Sequence, residues 1–264
     1  MLTIAGLTKT FNRGTPNEKS ALTDITLSVG RGDFVTMIGG NGAGKSTLLN
    51  CVAGVYPIDA GEIRVDGASV TRWSEHRRAA LLGRVFQDPM MGTASDMTIE
   101  ENLALANRRG KRRGLRWGIA PGERARYRGM LASLGLGLES RVTSKTGLLS
   151  GGQRQALTLV MAILQTPKLL LLDEHTAALD PKTAGKVLAL TDEFIQTDGL
   201  TAMMVTHNMR HALAYGNRLL MMHEGRIIVD ARGEDKRRLK VEDLLGLFER
   251  ASGHALENDR MLLS

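Results

Sequence analysis

One cysteine, few aromatics and no long apolar run set the first limits on this chain of 264 residues. Cys51 stands alone, so no intrachain disulfide can form, and a reducing compartment is expected. Aromatics are 4% of the residues, so aliphatic side chains must fill the core. The longest nearly apolar stretch, residues 156–164, is about half of the roughly 20 residues that a membrane span needs. If the protein serves a membrane, it must dock onto another chain. The opening residues, MLTIAGLTKT, lack the apolar centre of a signal peptide. No internal repeat or long low-complexity linker is visible. Acidic residues are the scarcer charge, 28 against 35 basic ones, for a net charge of +7. Much of that excess is one cluster without an acid inside it: Arg108, Arg109, Lys111, Arg112, Arg113 and Arg116. The basic balance therefore does not by itself indicate a nucleic-acid protein.

What is present reads as an α/β protein. Hydrophobic content of 42% and charged content of 24% are ordinary for a globular chain, and the length suffices for one large domain. Short β-branched or apolar runs predict strands at 3–7, 22–29, 34–38, 63–65, 169–172, 202–206 and 218–222. Helical periodicity follows Lys45, covers 100–107 and 122–134, follows Ser150, and covers 181–196. Alternating strands and helices predict a largely parallel sheet covered on both faces. Residues 88–146 read instead as helices joined by Gly-rich, basic loops, a helical lobe inserted in the α/β core. The polar tail 250–264 is expected to fray.

Gly39-Gly40-Asn41-Gly42-Ala43-Gly44-Lys45-Ser46 fits G-x-x-x-x-G-K-[ST] at each fixed position. It follows the apolar run FVTMI and opens a helical pattern, the context that a phosphate loop requires. Glycines let successive N–H groups turn inward, and the helix N-terminus adds partial positive charge. Lys45 would reach the β- and γ-phosphates of a nucleotide, and the Ser46 hydroxyl would bind Mg²⁺. Thr47 either joins them or only continues the helix. Cys51 reads as packing.

The run Leu169-Leu170-Leu171-Leu172 is apolar on both strand faces and ends in Asp173 and Glu174. Carboxylates at the carboxyl end of a buried strand lie where open α/β sheets bind ligands. Many strands end in acids merely to meet solvent; beside a phosphate loop, Asp173 fits the acid that holds Mg²⁺ and Glu174 the base that activates water.

Leu149-Ser150-Gly151-Gly152-Gln153 before a helical pattern resembles the signature of ATP-binding cassette (ABC) ATPases. Its physics is again anion binding at a helix N-terminus, from a hydroxyl and two backbone-exposing glycines. The resemblance covers about residues 2–248. It implies a phosphate-loop NTPase core, about 1–87 and 165–249, with an inserted helical subdomain, about 88–164, and an antiparallel β region. It also implies two cassettes packed head to tail, so that Ser150, Gly151, Gly152 and Gln153 of one chain cover ATP held by the other. By the same resemblance Gln87 is the glutamine that senses Mg²⁺ and water and links to the permease. His207 contacts the γ-phosphate, Asp180 bridges the halves, and Phe11 stacks on adenine, although a Phe ending a strand is often core. Two positions depart from the pattern. His175 stands where proline is common, which puts a titratable group beside Glu174, and Ala177 stands where serine is common.

The stretches GGNGAGKST, GRVFQDPMMGT, RRGKRRGLRWG and LLLLDEHTAALDPKTA resemble one subgroup of bacterial ABC import ATPases. That subgroup pairs with a separate permease and a lipoprotein-like solute-binding protein, and some members are linked to tryptophan or tyrosine uptake. The resemblance thus implies ATP and Mg²⁺ as cofactors, a second copy, a permease and a binding protein as partners, and a place on the cytoplasmic face of the inner membrane. The other reading is a soluble ABC ATPase acting on ribosomes or nucleic acid. Such proteins carry two cassettes or a long coiled-coil insertion, whereas about 60 residues without a heptad run separate Gln87 from Leu149. Trp117 alone accompanies the basic cluster, so base stacking has little support and no nucleic-acid partner is expected. The cluster, without acids and ending in Trp117, reads either as a solvated loop or as a brace against anionic lipid.

Overall fold

The computed structural model describes residues 1–111 and 118–252. Contacts divide the chain into two compact units: Met1–Arg78 with the segment from Leu200, and Ala79–Gly199.

The first unit opens with strand β1, Leu2–Phe11, which pairs antiparallel with β2, Lys19–Val29. Strand β3, Phe34–Gly39, runs into helix α1, Lys45–Ala53. Strands β4, Ala60–Val65, and β5, Ala68–Ser69, follow, and then a single turn of helix, α2, Glu75–Arg78. β1 lies between β2 and β4, all antiparallel, with β5 beyond β4. Period-two burial sets the register: Leu2 lies opposite Val29 and Val65, and Ile4 opposite Leu27 and Ile63. A slip of one residue would turn all six out of the core.

The second unit contains the parallel pair β6, Leu82–Val85, and β7, Leu169–Asp173. Between them lie α3, Ile99–Asn107, α4, Pro121–Ala132, and α5, Gly151–Ile163. Helix α6, Pro181–Thr197, follows β7. Ile99, Leu103, Tyr127, Leu131, Leu157 and Val160 pack one largely aliphatic core among α3, α4 and α5.

The chain then returns to the first unit with β8, Ala202–Val205, α7, Met209–Ala214, β9, Arg218–His223, and β10, Arg226–Arg232. Helices α8, Gly233–Arg238, and α9, Val241–Ser252, end the described chain. All six residues of β3 are buried, because β3 has β8 on one side and β9 on the other, both parallel to it. β9 and β10 form an antiparallel hairpin whose turn residues, Glu224 and Gly225, have φ of 43° and 73°. Positive φ at both is what a tight hairpin turn asks for.

Buried charge in this unit is hydrogen-bonded. Arg218 is 1% exposed; it donates to both Asp230 oxygens at 2.7 Å and to the Ser28 carbonyl at 2.5 Å. Burial would raise the Asp230 pKa, but the bonds from Arg218 and Arg232 outweigh it and hold the carboxyl at about 2. Arg78 donates to the carbonyls of Cys51 and Val52 at 2.7 and 2.9 Å, capping α1.

Seven of these elements, β5, α2, β6, α7, β10, α8 and α9, have no counterpart in the strand and helix patterns above. β6 is four residues with Gly83 and Arg84 inside it, so its composition hides it; its Arg84 guanidinium covers the Phe86 ring at 4.5 Å. β10, α8 and α9 follow the last recognisable run. The expected parallel pairing holds for β3 with its neighbours and for β6 with β7, while β10 is antiparallel. Residues 253–264 of the tail lie outside the described residues.

Candidate functional site

In the first unit, β3 delivers the chain into the phosphate loop and α1 carries it away. Gly39 has φ of 151°, and a Cβ there would lie 2.2 Å from the Met222 carbonyl oxygen. Gly44 has φ of 101°, and its Cβ would lie 2.6 Å from the Ala21 carbonyl oxygen. Both positions exclude a side chain for two reasons, conformation and space. Asn41 and Gly42 are exposed at the crest of the loop, Gly40, Ser46 and Thr47 are half-buried, and Ala43 is buried. Lys45 is 5% exposed, and its Nζ donates to the carbonyls of Gly39 and Gly40 at 2.7 and 3.0 Å. An ammonium curled into a loop whose backbone opens a helix is poised to exchange those carbonyls for phosphate oxygens.

His207 leaves the same end of the sheet. Met37 of β3 lies opposite Val205 of β8, and the Thr206 N–H donates to the Met37 carbonyl at 3.1 Å. The next residue, Asn208, caps α7 by accepting the His211 N–H at 3.0 Å, which fixes the turn that His207 begins. Phe11 ends β1 half-buried, with Tyr56 edge-on at 5.2 Å and Lys9 Nζ 5.3 Å from its ring centre. Tyr56, just past the end of α1, is the aromatic partner that sequence reasoning did not name.

In the second unit, Val85 lies opposite Leu172, so Gln87 and the acid pair leave the same end of β6 and β7. Gln87 is exposed, and Asp173 and Glu174 are half-buried. Glu174 has φ of 46°, left-handed for a residue that is not glycine. Such strain costs on the order of 1–3 kcal/mol and persists only where neighbours enforce it.

Here His175 corrects the sequence reading. It does not stand as a titratable group beside the carboxylate: it is turned inward, 2% exposed, with Nε2 3.1 Å from Thr191 Oγ1 on α6. The Thr191 hydroxyl donates to the Val187 carbonyl at 2.8 Å, so Nε2 carries the proton and donates to Thr191. Burial pushes the His175 pKa down to about 4, so the ring is neutral at physiological pH. Ala177 is exposed, its N–H donating to the Glu174 carbonyl at 2.9 Å. Asp180 is exposed and caps α6 by accepting the Thr183 N–H at 3.1 Å; a bond from the Thr183 hydroxyl, together with that one, holds its pKa below the usual range.

Ser150 caps α5. It accepts the Gln153 N–H at 3.3 Å, and Gln153 Oε1 accepts the Ser150 N–H at 3.2 Å, a reciprocal box. Ser150, Gly151 and Gln153 belong to the accessible first turn. Gly152 departs from the expectation of a backbone-exposing glycine. It is buried, and a Cβ there would lie 2.0 Å from Thr183 Cγ2, so its small size serves the approach of α6.

The basic cluster also reads differently in the fold. Arg108 does have an acidic partner, Glu123, at 3.1 Å, and also donates to the Ala104 carbonyl. Arg109 donates to the Ala162 carbonyl near the end of α5 at 2.9 Å, and burial lowers its pKa. Lys111 is exposed, and Arg112, Arg113, Arg116 and Trp117 lie outside the described residues. At least two of the six cations are therefore spent inside the helical unit.

Against known proteins, the family described as ABC transporter matches residues 22–177. A tyrosine transport ATP-binding protein of Clostridioides difficile is 42% identical over 251 residues, 95% of this chain and 100% of the relative. A methionine import ATP-binding protein of Rhizobium etli is 36% identical over 80% of this chain and 57% of its own length. Among solved structures, a dimeric post-hydrolysis ATP-binding cassette bound to ADP and Pi aligns with a TM-score of 0.76 at 28% identity, covering 88% of this chain and 98% of that one. An ATP-binding cassette of an ABC transporter in its ADP conformation aligns at 0.78 and 27% identity, covering 96% and 99%.

Proposed function

The chain belongs to the ABC transporter family, and from that premise we propose that it is the ATPase subunit of a bacterial importer that moves an amino acid through a separate permease. It binds and hydrolyses ATP, the chemistry of that family. A second copy and a membrane permease are its partners, and a solute-binding protein outside the membrane would deliver the substrate. No helix among the described residues is long and apolar enough to cross a membrane, so its place at the cytoplasmic face would come from docking on the permease.

One observation carries the nucleotide reading: Lys45 is buried with its ammonium on the Gly39 and Gly40 carbonyls, in a loop where neither Gly39 nor Gly44 can carry a side chain. In the proposed mechanism, Lys45 and the loop N–H groups hold the β- and γ-phosphates, and Phe11, backed by Tyr56, stacks on adenine. Glu174 orients the attacking water and takes its proton. His207 and Gln87 contact the γ-phosphate side of the site. Ser150, Gly151, Gly152 and Gln153 close over the nucleotide of the partner copy, and Asp180 lies at the seam. The residues fit Mg²⁺: Ser46, Gln87 and Asp173 offer hydroxyl, amide and carboxylate oxygens, the donors that a hard cation takes alongside phosphate. When bound, the ion would neutralise charge on the phosphate oxygens.

Amino-acid import rests on the similarity to the tyrosine transport relative. The test has two levels. Glu174→Gln should retain ATP binding, lose on the order of 10²–10⁴ in turnover and accumulate an ATP-bound dimer on size exclusion. Turnover within about tenfold of wild type would remove Glu174 as the base. Reconstitution with the permease and binding protein, followed by uptake of radiolabelled tyrosine, tryptophan and methionine, tests the substrate class.

A further inference from the structure

Helix α5 carries Arg154, Gln155 and Thr158 on its buried side where aliphatic residues would pack. Gln155 is 0% exposed and Arg154 is 5% exposed. Burying such groups costs free energy unless they are bonded, so their partners matter. Gln155 Nε2 donates to the Phe86 carbonyl at 3.1 Å, one residue before Gln87. Arg154 Nη1 donates to the Met90 sulfur at 2.8 Å, three residues after it. Arg154 Nη2 donates to the Thr146 carbonyl at 2.9 Å, the same oxygen that accepts the Leu149 N–H in the turn before Ser150. One helical turn beyond Gln155, Thr158 closes the far end of the loop: a Cβ on Gly92 would lie 2.5 Å from Thr158 Cγ2.

The loop around Gln87 is thus strapped to α5 on both sides, at Phe86, Met90 and Gly92. The same guanidinium also holds the turn that presents Ser150. We propose that Gln155 and Arg154 are positioning residues that make the Gln87 loop and the Ser150 end of α5 move as one body. This rests on the proposed function, in which Gln87 reads the chain's own nucleotide and Ser150 reads the partner's. The strap then links the two nucleotides of a dimer through a single helix: whatever displaces Ser150 displaces Gln87 with it.

The state of Gln155 favours this role over a purely structural one. Its Oε1 is buried with no hydrogen-bond partner among the described residues. A buried acceptor of this kind adds nothing to stability, so the amide's use here is its Nε2 bond to Phe86. Methionine has nearly the same shape and no amide.

The experiment is a double-mutant cycle on the full-length chain with MgATP. Gln155→Met should melt within a few degrees of wild type, lose about tenfold in kcat, and keep KM for ATP within about twofold, because positioning acts on the reacting geometry and not on affinity. In a Gln87→Ala background the same change should cost less than about twofold, since the residue it acts through is gone. The Hill coefficient for ATP should fall toward 1. Arg154→Met is run through the same cycle, so that the result does not hang on one variant folding. The proposal is overturned if well-folded Gln155→Met keeps wild-type kcat and Hill coefficient, or if the two changes multiply independently. If Gln87→Ala itself leaves kcat unchanged, the assignment of Gln87 fails and the strap fails with it, a different and recognisable result.

Discussion

Replacing Gly152 with alanine should lower stability, opposite to what the same change does in an ordinary helix. An alanine in place of a helical glycine normally gains about 0.5–1 kcal/mol. At this position the new Cβ would fall 2.0 Å from Thr183 Cγ2, far inside the roughly 3.5–4.0 Å of a comfortable carbon contact. Overpacking of this kind costs about 1–3 kcal/mol. Thr183 has little room to yield, because its N–H is held by Asp180 at 3.1 Å in the first turn of α6. The balance is a net loss of roughly 1–2 kcal/mol, or a melting temperature lower by about 2–8 °C for a chain of this size.

The clash involves one methyl, and that makes the reasoning checkable. Thr183→Ser deletes Cγ2 and keeps the hydroxyl. The pair Gly152→Ala with Thr183→Ser should return to within about 0.5 kcal/mol of the Thr183→Ser single variant, or exceed it. Thermal melts without nucleotide, followed by circular dichroism, measure all four proteins. A Gly152→Ala chain that melts above wild type, or a pair whose losses simply add, would refute the packing argument. ATPase activity of the pair gives a second reading. The proposed partner-site role of Gly152 expects activity to stay low after stability has returned.

Ser150→Arg should leave ATP affinity of the dilute, isolated chain within about twofold and cut hydrolysis by on the order of 100-fold. Mixing it with Lys45→Ala should restore part of the activity, because one heterodimer site is intact; loss of ATP binding by the isolated Ser150→Arg chain would defeat the two-chain site. Lys236 gives a pH signature. Burial brings its pKa down to about 8 from 10.5, although its Nζ donates to the Gly216 carbonyl at 2.9 Å and to that of Tyr215. Between those values the unfolded chain holds a proton that the folded chain has lost, so this group's penalty is full below pH 8 and relieved as pH rises toward 10.5. Denaturant titrations should show wild type gaining on the order of 3 kcal/mol on Lys236→Met across that window, and parallel curves would exclude the effect. Arg109→Ala should destabilise the protein by about 1–2 kcal/mol by orphaning the Ala162 carbonyl, and unchanged melting would return Arg109 to the solvated cluster.

The phosphate loop was legible because its chemistry leaves little choice of residue. Positive φ and backbone contact at Gly39 and Gly44 forbid any side chain, and the strand before them is buried on both faces. The acid pair was legible for a related reason, four leucines interrupted by charge. Contacts made across the fold were not legible. Gly152 looks like the other signature glycine until Thr183 is seen against it. Arg108 looks unpaired in sequence because Glu123 is 15 residues away, one helix further on. Strand β6 was hidden by its own content, since Gly83 and Arg84 weaken a pattern only four residues long.

Asp173, Glu174 and His175 show how far adjacency in sequence misleads about adjacency in space. If β7 simply continued, successive side chains would alternate and the ring would fall near the face of Asp173. The strand stops instead at Asp173, and Glu174 takes the left-handed conformation. That turn sends His175 into the core, where Nε2–H donates to Thr191 and thereby ties the turn to α6. The Ala177 N–H holds the Glu174 carbonyl from the other side. A strained residue needs such anchors on both flanks, or it relaxes. Proline, common at this position in the family that the sequence resembles, would restrict the turn through its own ring. Histidine restricts it through a buried hydrogen bond from a ring that burial keeps neutral. The departure at His175 thus keeps the turn at Glu174 stiff and changes the means by which that stiffness is supplied.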